Sequence, residues 1–336
     1  MTQKSPKVVV VTGASAGVGR ATALAFARSG ASVALLARGT EGLNGAVKEI
    51  EQAGGTALAL PTDVANAQQV EDSAAQVEKV LGPIDVWVNN AMVTVFSKVV
   101  DMAPEEYQRV TEISYLGVVY GTQAALKRMR PRNAGTIIQV GSALAYRGIP
   151  LQSAYCGAKF AARGFTDSLR AELIYENSKI HLTTVHLAAF NTPQFEWARH
   201  RIGGQPQPLP PIFQPEVAAG AVVWSANHNR RELYVGFPAL KIILGNKIVP
   251  GLIDYMASKQ AIDGQMDKQV KTPSTRDNLF EPVPKDMGTH GRFDDQAKDR
   301  SWQLLLSQNR LPLALVTLMA GLAAMVIKRD HNQDSL

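Results

Sequence analysis

"KVVVVTGASAGVGRATALAFARSG", residues 7–30, joins a run of valines to a helical segment through a turn that contains three glycines. Glycines at these positions let the backbone turn sharply and approach a pyrophosphate, while the free amides at the helix N-terminus hold the anion. A merely tight strand-to-helix turn is the alternative, and the strand-turn-helix context favours a dinucleotide-binding loop. The predicted loop residues are Gly13, Ser15, Gly17, Val18 and Gly19.

Six further short runs rich in β-branched and aliphatic residues alternate with stretches of helical period. They are "SVALLAR", "TALALPTD", "IDVWVNNA", "GTIIQVGS", "HLTTVHLA" and "ELYVG". Nearly continuous apolar runs indicate strands that are buried on both faces, as in a parallel sheet covered by helices. The sequence therefore predicts an α/β, doubly wound (Rossmann) domain over residues 1–258, with a seven-stranded parallel sheet in a three-layer arrangement.

The remainder of the chain has a different composition. Residues 259–310 are polar and turn-rich, which predicts an irregular connector, and 311–329 predict an apolar C-terminal helix. The segment "LPLALVTLMAGLAAMVI", 311–327, carries no charge and is followed by Lys328 and Arg329. We expect it to contact a membrane, either spanning it or lying on it; docking on the protein as a terminal core helix is the alternative.

Composition limits the class of protein. The 336 residues are 46% hydrophobic, enough for a large core, and the single cysteine, Cys156, excludes a disulfide framework. The first residues carry no charged-then-apolar leader, so we expect an intracellular protein, cytoplasmic or membrane-associated through its tail. The net charge is +6, but the basic residues are scattered among acids, which argues against a nucleic-acid partner.

Arg38 ends the second predicted strand, where the adenosine ribose of a bound dinucleotide should lie. An acid there would accept a hydrogen bond from a free 2′-hydroxyl, whereas arginine offers a fork of donors that suits a 2′-phosphate. NADP(H) is therefore favoured over NAD(H) as the cofactor. A solvated surface arginine is the competing interpretation.

Further candidates follow the third and fourth predicted strands. Asp63 and Val64 follow the third strand and Asn90 follows the fourth. The carboxyl ends of strands are the edge at which ligands bind in open α/β sheets, so we expect all three residues to contact the cofactor. The polar pair could instead only cap a helix or a turn.

"SAYCGAKF", residues 153–160, places Tyr155 and Lys159 one helical turn apart on one face. A free tyrosine, with a pKa of about 10, is a poor base, but a nearby ammonium favours its phenolate. Ser142 follows the fifth strand, and its hydroxyl can hold a substrate oxygen. A solvated helix face is the alternative for the pair, and Cys156 is interpreted as a small apolar filler.

In this order, "TGASAGVG", "NNAM", Ser142 and "YCGAK" resemble the short-chain dehydrogenase/reductase family over roughly residues 6–256. The resemblance implies that Tyr155 donates or accepts the proton, that Ser142 holds the substrate oxygen, and that Lys159 also binds the nicotinamide ribose. It implies that Thr192 contacts the cofactor. It also implies a homodimer or tetramer assembled through helices near 104–130 and 152–175.

Three positions depart from the family pattern. Met92 replaces a glycine, and Ala188-Ala189 replace a Pro-Gly pair after the sixth strand. Ser114 stands where the family commonly has an asparagine that orders a water for the proton relay. Ser114 is therefore the catalytic candidate whose role is in doubt.

Apolar and aromatic residues are expected around the reacting carbonyl: Leu144, Tyr146, Ile149, Leu151, Phe190, Phe195 and Trp197. They predict a small lipophilic carbonyl or alcohol as substrate, although ordinary core packing is the alternative. The proline-rich residues 203–215 predict a flap over the ligand crevice, or a plain surface connection. A dinucleotide-binding sensor without turnover, and an epimerase or dehydratase of the same family, are the other functions that the sequence allows.

Overall fold

The computed structural model describes residues 7–268 and 276–309. Its centre is a seven-stranded sheet in which all strands are parallel, in the order β7-β6-β5-β4-β1-β2-β3. The strands are β1 (Val8–Thr12), β2 (Ser32–Ala37), β3 (Thr56–Pro61), β4 (Ile84–Asn89), β5 (Thr136–Ser142), β6 (His181–Leu187) and β7 (Glu232–Val235). Each of the seven predicted runs forms one of these strands, so the predicted sheet is confirmed.

Helices cover both faces of the sheet. They are α1 (Gly17–Arg28), α2 (Thr40–Gln52), α3 (Ala67–Leu81), α4 (Pro104–Thr111), α5 (Gly117–Met129), α6 (Ser153–Tyr175), α7 (Gln194–Trp197), α8 (Pro215–Ser225), α9 (Phe237–Ile248), α10 (Pro250–Gly264) and α11 (Trp302–Gln308). A π-helical turn, Glu112–Leu116, separates α4 from α5. Helices α1, α2 and α8 pack on one face, and α3, α5 and α6 pack on the other.

The four valines of β1 show why the fold has three layers. Val9 and Val11 belong to the core beneath α1 and α8, whereas Val8 and Val10 belong to the core on the opposite face. Because successive side chains of a strand point to opposite faces, a strand buried on both faces needs an apolar residue at every position. The continuous valine run meets that requirement.

Part of the predicted connector, within residues 259–268 and 276–309, has short regular elements and packs against the sheet domain. The predicted boundary at residue 258 falls inside α10, and residues 276–309 pack back onto the sheet domain. In this part, the two-residue strand Ala297–Lys298 pairs with Ile212–Phe213, which also pairs with Ala189–Phe190. Helix α11 packs near β7.

Within residues 7–268 and 276–309, no helix is long and apolar enough to cross a membrane. The apolar helix that the sequence predicts over 311–329 lies outside the described residues.

Candidate active site

The glycine turn forms where β1 ends and α1 begins. Gly13 and Gly17 have φ angles of 66° and 55°, in the left-handed region that favours glycine. At Gly19 a Cβ atom would lie 2.1 Å from the Gly13 carbonyl oxygen. The turn is thus closed tightly by residues that carry no side chains.

A cavity of about 370 Å³ begins at this turn. All five predicted loop residues line it, and so do Arg38, Asp63, Val64, Asn90, Ser142, Tyr155, Lys159 and Thr192. Gly13, Gly17 and Gly19 line the cavity where helix α1 begins, and a Cβ on any of them would crowd neighbouring protein atoms. A glycine-lined turn at a helix N-terminus is the kind of site at which the diphosphate of a dinucleotide binds.

Asn90 and Asp63 line the cavity and also brace its walls. The Asn90 amide donates hydrogen bonds to the carbonyl oxygens of Thr12, at 2.9 Å, and Gly13, at 3.3 Å. Asp63 accepts a hydrogen bond from the Ala65 backbone N–H and pairs with Arg109 at 2.6 Å. Asp63 does not cap α3, because Asn66 has that position.

Arg38 is not a solvated surface arginine. Its guanidinium donates hydrogen bonds to the backbone carbonyls of Asn278, Leu279 and Phe280. Burial, followed by repulsion from Arg109, lowers the pKa of Arg38 below its ordinary value. The side chain therefore lines the cavity while it binds a distant part of the chain.

Ser142, Tyr155 and Lys159 come together in the lining of the cavity. Ser142 ends β5, and its Oγ accepts a hydrogen bond from the Leu144 backbone N–H at 3.1 Å. Lys159, only 4% exposed, donates through Nζ to the Val140 carbonyl oxygen at 2.8 Å. The same Nζ lies 5.6 Å from the centre of the Tyr155 ring. The two α6 residues thus face β5 rather than solvent.

The pKa shifts of this group differ from the expectation that Lys159 would make the phenol acidic. Burial raises the pKa of Tyr155 above its ordinary value, and a hydrogen bond with Ser142 only partly opposes that rise. Burial also lowers the pKa of Lys159 to about 8. Desolvation disfavours the charged form of each group. The Tyr155 phenol therefore keeps its proton at neutral pH, and the pKa of the Lys159 amine lies just above neutral pH.

Ser114 is not brought to the cavity. It lies in the π-helical turn, fully buried, where its Oγ accepts from the Val93 backbone N–H at 3.1 Å and donates to the Val93 carbonyl at 3.0 Å. Its neighbour Ile113 lines the cavity instead. The hydroxyl therefore fastens the loop after β4 to the turn between α4 and α5.

Five of the seven expected substrate residues line the cavity: Leu144, Ile149, Phe190, Phe195 and Trp197. Tyr146 and Leu151 are buried elsewhere, and the Tyr146 hydroxyl donates to Glu232 at 2.9 Å. Met92 and residues 207–211 of the proline-rich segment also line the cavity. The position expected for a flap is therefore next to the ligand space.

One wall of the cavity was not predicted from the sequence. Residues of the C-terminal part line it: Asn278, Pro282, Val283, Lys285 and Met287. Pro238, Ala239 and Ile242 of α9 add further apolar surface. A polar, turn-rich composition gave no signal that these residues would lie over the glycine turn.

Comparisons with known proteins agree with this geometry. The family model described as short chain dehydrogenase matches residues 7–202. The chain is 32% identical over 320 residues to "Uncharacterized oxidoreductase YxnA" of Bacillus subtilis, an alignment that covers 95% of this chain and 89% of the relative. It is 33% identical over 192 residues to "3-ketodihydrosphingosine reductase" of Bos taurus, covering 56% of this chain and 57% of the relative.

Solved structures are also similar. An alcohol dehydrogenase from the archaeon Thermococcus sibiricus, complexed with 5-hydroxy-NADP, superposes with a TM-score of 0.60 at 27% identity, over 68% of this chain and 96% of that one. A metagenomic short-chain oxidoreductase in complex with NADP superposes with a TM-score of 0.59 at 26% identity, over 69% and 97%. Each of the two alignments covers nearly all of the other protein.

Proposed function

The chain belongs to the short chain dehydrogenase family and is an oxidoreductase, and from this premise we propose that it uses NADP(H) to interconvert a lipophilic carbonyl compound and its alcohol. The observation that carries the proposal is the shared cavity. Ser142, Tyr155 and Lys159 line the same cavity as the glycine turn. A cofactor and a small substrate can therefore meet in one site.

The cofactor, when bound, supplies or takes up the hydride. Tyr155 is the proton donor to the carbonyl oxygen during reduction, and its raised pKa keeps it protonated until then. The Ser142 hydroxyl holds that oxygen. Lys159, fixed on the Val140 carbonyl, places a positive charge near the phenol as the proton leaves. In the alcohol-oxidising direction the same groups act in reverse.

The preference for NADP(H) is supported by positive charge and by likeness. Arg38 and Lys285 both line the cavity on the side of the glycine turn. The two similar solved structures are complexes with 5-hydroxy-NADP and with NADP. We expect Arg38→Ala to lower the ratio of NADPH affinity to NADH affinity, measured by fluorescence titration; an unchanged ratio would remove Arg38 from this role.

A lipophilic substrate is supported by the apolar part of the cavity lining. Leu144, Ile149, Phe195 and Trp197 are apolar or aromatic, and Leu209 of the proline-rich segment adds to them. The bovine relative is named for reducing 3-ketodihydrosphingosine. NADPH consumption should therefore increase across a series of carbonyl compounds from short polar to long apolar chains. A preference for small charged substrates would contradict this part of the proposal.

Tyr155→Phe tests the chemistry itself. Loss of a general acid lowers turnover by about a hundredfold or more, while NADPH affinity should stay close to wild type. Tyr175→Phe is the matched control, because Tyr175 lies on the same helix and is 88% exposed. Undiminished turnover in Tyr155→Phe, or binding of NADPH without any turnover in the wild type, would refute the enzyme proposed here.

Assembly as a homodimer or tetramer is supported by the outer face of α6. Phe160 is 45% exposed there, and Gly157 and Gly164 beside it have open space where a side chain would stand. Small residues around an exposed aromatic ring offer a flat surface to a second copy of the helix. Light scattering of the wild type should give a multiple of the chain mass, and Phe160→Glu should lower it; an unchanged monomer in both would count against this assembly.

A further inference from the structure

The wall that was not predicted from the sequence is a continuous segment, residues 278–288, which we call the strap. It leaves the end of α7, where the Asn278 N–H donates to the Trp197 carbonyl at 3.0 Å. Leu279 is fully buried in the core beneath the sheet. From that anchor the strap passes over the side of the cavity that contains Arg38 and the glycine turn.

The strap is attached at its start by two arginines. Arg38 donates to the carbonyl oxygens of Leu279 at 3.1 Å and Phe280 at 2.9 Å, and also to that of Asn278. Arg109, which is paired with Asp63, donates to the Leu279 carbonyl at 3.3 Å. Two residues that line or brace the adenosine side of the cavity therefore also fix the strap.

The far end of the strap is attached to the glycine turn itself. The Gly17 backbone N–H, at the first position of α1, donates to the Gly288 carbonyl oxygen at 3.1 Å. Arg20, one turn along α1 and 3% exposed, pairs with Asp286, with a second contact at 3.2 Å, and with Glu49 at 3.0 Å. A bidentate arginine–carboxylate pair is a strong and directional attachment.

Beyond the strap the chain is held against Thr192. A Cβ on Gly291 would lie 2.5 Å from the Thr192 carbonyl oxygen, and the Asn191 side chain bonds Asp294 at 2.8 Å and the Phe293 N–H at 3.0 Å. The strap is thus anchored before, along and after the cavity. Residues of the glycine turn and residues of the strap line the same cavity.

We propose that residues 278–288 are part of the dinucleotide-binding site, closing over the bound cofactor, and that the Arg20–Asp286 pair keeps the strap closed. The inference rests on the proposed use of a dinucleotide. The strap has to open for the cofactor to enter and leave, because it covers the side of the cavity that the glycine turn and Arg38 form. Asp286 acts as a positioning residue, since it touches Arg20 and not the cavity.

The test is the rate at which NADPH leaves the full-length protein, followed by its fluorescence in stopped-flow displacement. Asp286→Asn removes the charge that binds Arg20, and since the Asp286 side chain is 40% exposed the fold should tolerate it. We expect NADPH and NADH to dissociate about three- to tenfold faster, as for the loss of one charged hydrogen-bonded pair. Asp167→Asn is the control, because Asp167 is 37% exposed, pairs with Arg231 and lies on α6 away from the cavity lining.

Hydrogen exchange of the wild type gives a second measurement that needs no variant. Amides of residues 278–288 should exchange more slowly when NADPH is bound, because a covering strap is held by its ligand. The inference is overturned if NADPH dissociates from Asp286→Asn at the rate of the control variant or more slowly than from the wild type. It is also overturned if the amides of residues 278–288 exchange at the same rate or faster when NADPH is bound. Slower dissociation would mean that the strap competes with the cofactor. A wild type that binds neither NADPH nor NADH would instead refute the proposed function.

Discussion

Alanine at Gly19 should disrupt the glycine turn without touching any catalytic side chain. An added Cβ would lie 2.1 Å from the Gly13 carbonyl oxygen and 2.5 Å from the Asn90 amide nitrogen. Real Cβ atoms essentially never approach another heavy atom within 3.0 Å, so the turn would have to open by about an ångström. The nearest atom belongs to the backbone of the same turn and cannot rotate away.

The magnitude follows from this overlap. Forcing an extra methyl group into a closed site costs about 1–3 kcal/mol of unfolding free energy, occasionally more. If the displaced amides lose a similar free energy of binding, NADPH affinity falls about tenfold or more, since about 1.4 kcal/mol corresponds to a factor of ten. The two effects should appear together, because one displacement causes both.

Gly220→Ala is the matched control for this prediction. Gly220 lies inside α8, and a Cβ there meets no atom within 4 Å. Alanine in an open helical position should stabilise the protein by about 0.5–1 kcal/mol and leave NADPH binding unchanged. Urea unfolding followed by tryptophan fluorescence, together with NADPH titration, measures both quantities. A Gly19→Ala protein with wild-type stability and affinity would show that the turn is not closed as described.

Three further changes test other parts of the structure. Glu106 is 1% exposed, and burial opposes its ionisation, but hydrogen bonds from Arg201, the Ala103 N–H and Arg199 lower its pKa below the ordinary value. The ionised carboxylate therefore stabilises the fold above the ordinary carboxyl pKa, and this stabilisation is lost as pH falls through the lower pKa of the folded state. Glu106→Gln should lower the free energy of unfolding at pH 7 by about 2–3 kcal/mol in urea titrations, and a smaller loss than that of an exposed pair would contradict the ion-pair cluster. Burial lowers the pKa of His186 to about 4, so the free energy of unfolding of the wild type should fall as pH falls from about 6.5 towards 4. His186→Gln should flatten this part of the plot of stability against pH. Parallel plots for the two proteins would contradict the prediction. Ser114→Ala removes the hydrogen-bond partner of the Val93 N–H and of the Val93 carbonyl, so the free energy of unfolding should fall by about 1–3 kcal/mol. NADPH affinity should stay within about twofold of wild type. A large loss of affinity would show that Ser114 belongs to the active site.

Much of the fold, the glycine turn and the group of Ser142, Tyr155 and Lys159 could be predicted from local patterns in the sequence. The continuous valines of β1 require burial on both faces whatever the rest of the chain does, and glycine is the residue that positive φ angles at 13 and 17 favour. Ser142, Tyr155 and Lys159 line the cavity, as their positions in the sequence predict. Ser142 lies at the carboxyl end of a strand, where ligands bind in open α/β sheets, and residues four apart on a helix lie on the same face.

The electrostatic state of that group could not be predicted in the same way. The spacing of Tyr155 and Lys159 predicts proximity, and in the structure Lys159 Nζ lies 5.6 Å from the centre of the Tyr155 ring. How far each pKa moves depends on how completely the surrounding residues exclude water, and those residues come from several distant parts of the chain. Burial therefore raises the pKa of the phenol and lowers that of the amine, contrary to the simple charge argument.

The sequence by itself determined the sheet, the glycine turn and the candidate group of Ser142, Tyr155 and Lys159, because each depends on residue types at fixed short spacings. Only the tertiary structure decided the partners of Arg38 and Ser114 and the position of the strap. Arg38 binds backbone carbonyls some 240 residues away, and Ser114 binds the backbone of Val93. Every residue carries a backbone carbonyl, so no residue type marks which carbonyl an arginine will meet, and the fold alone brings the two together.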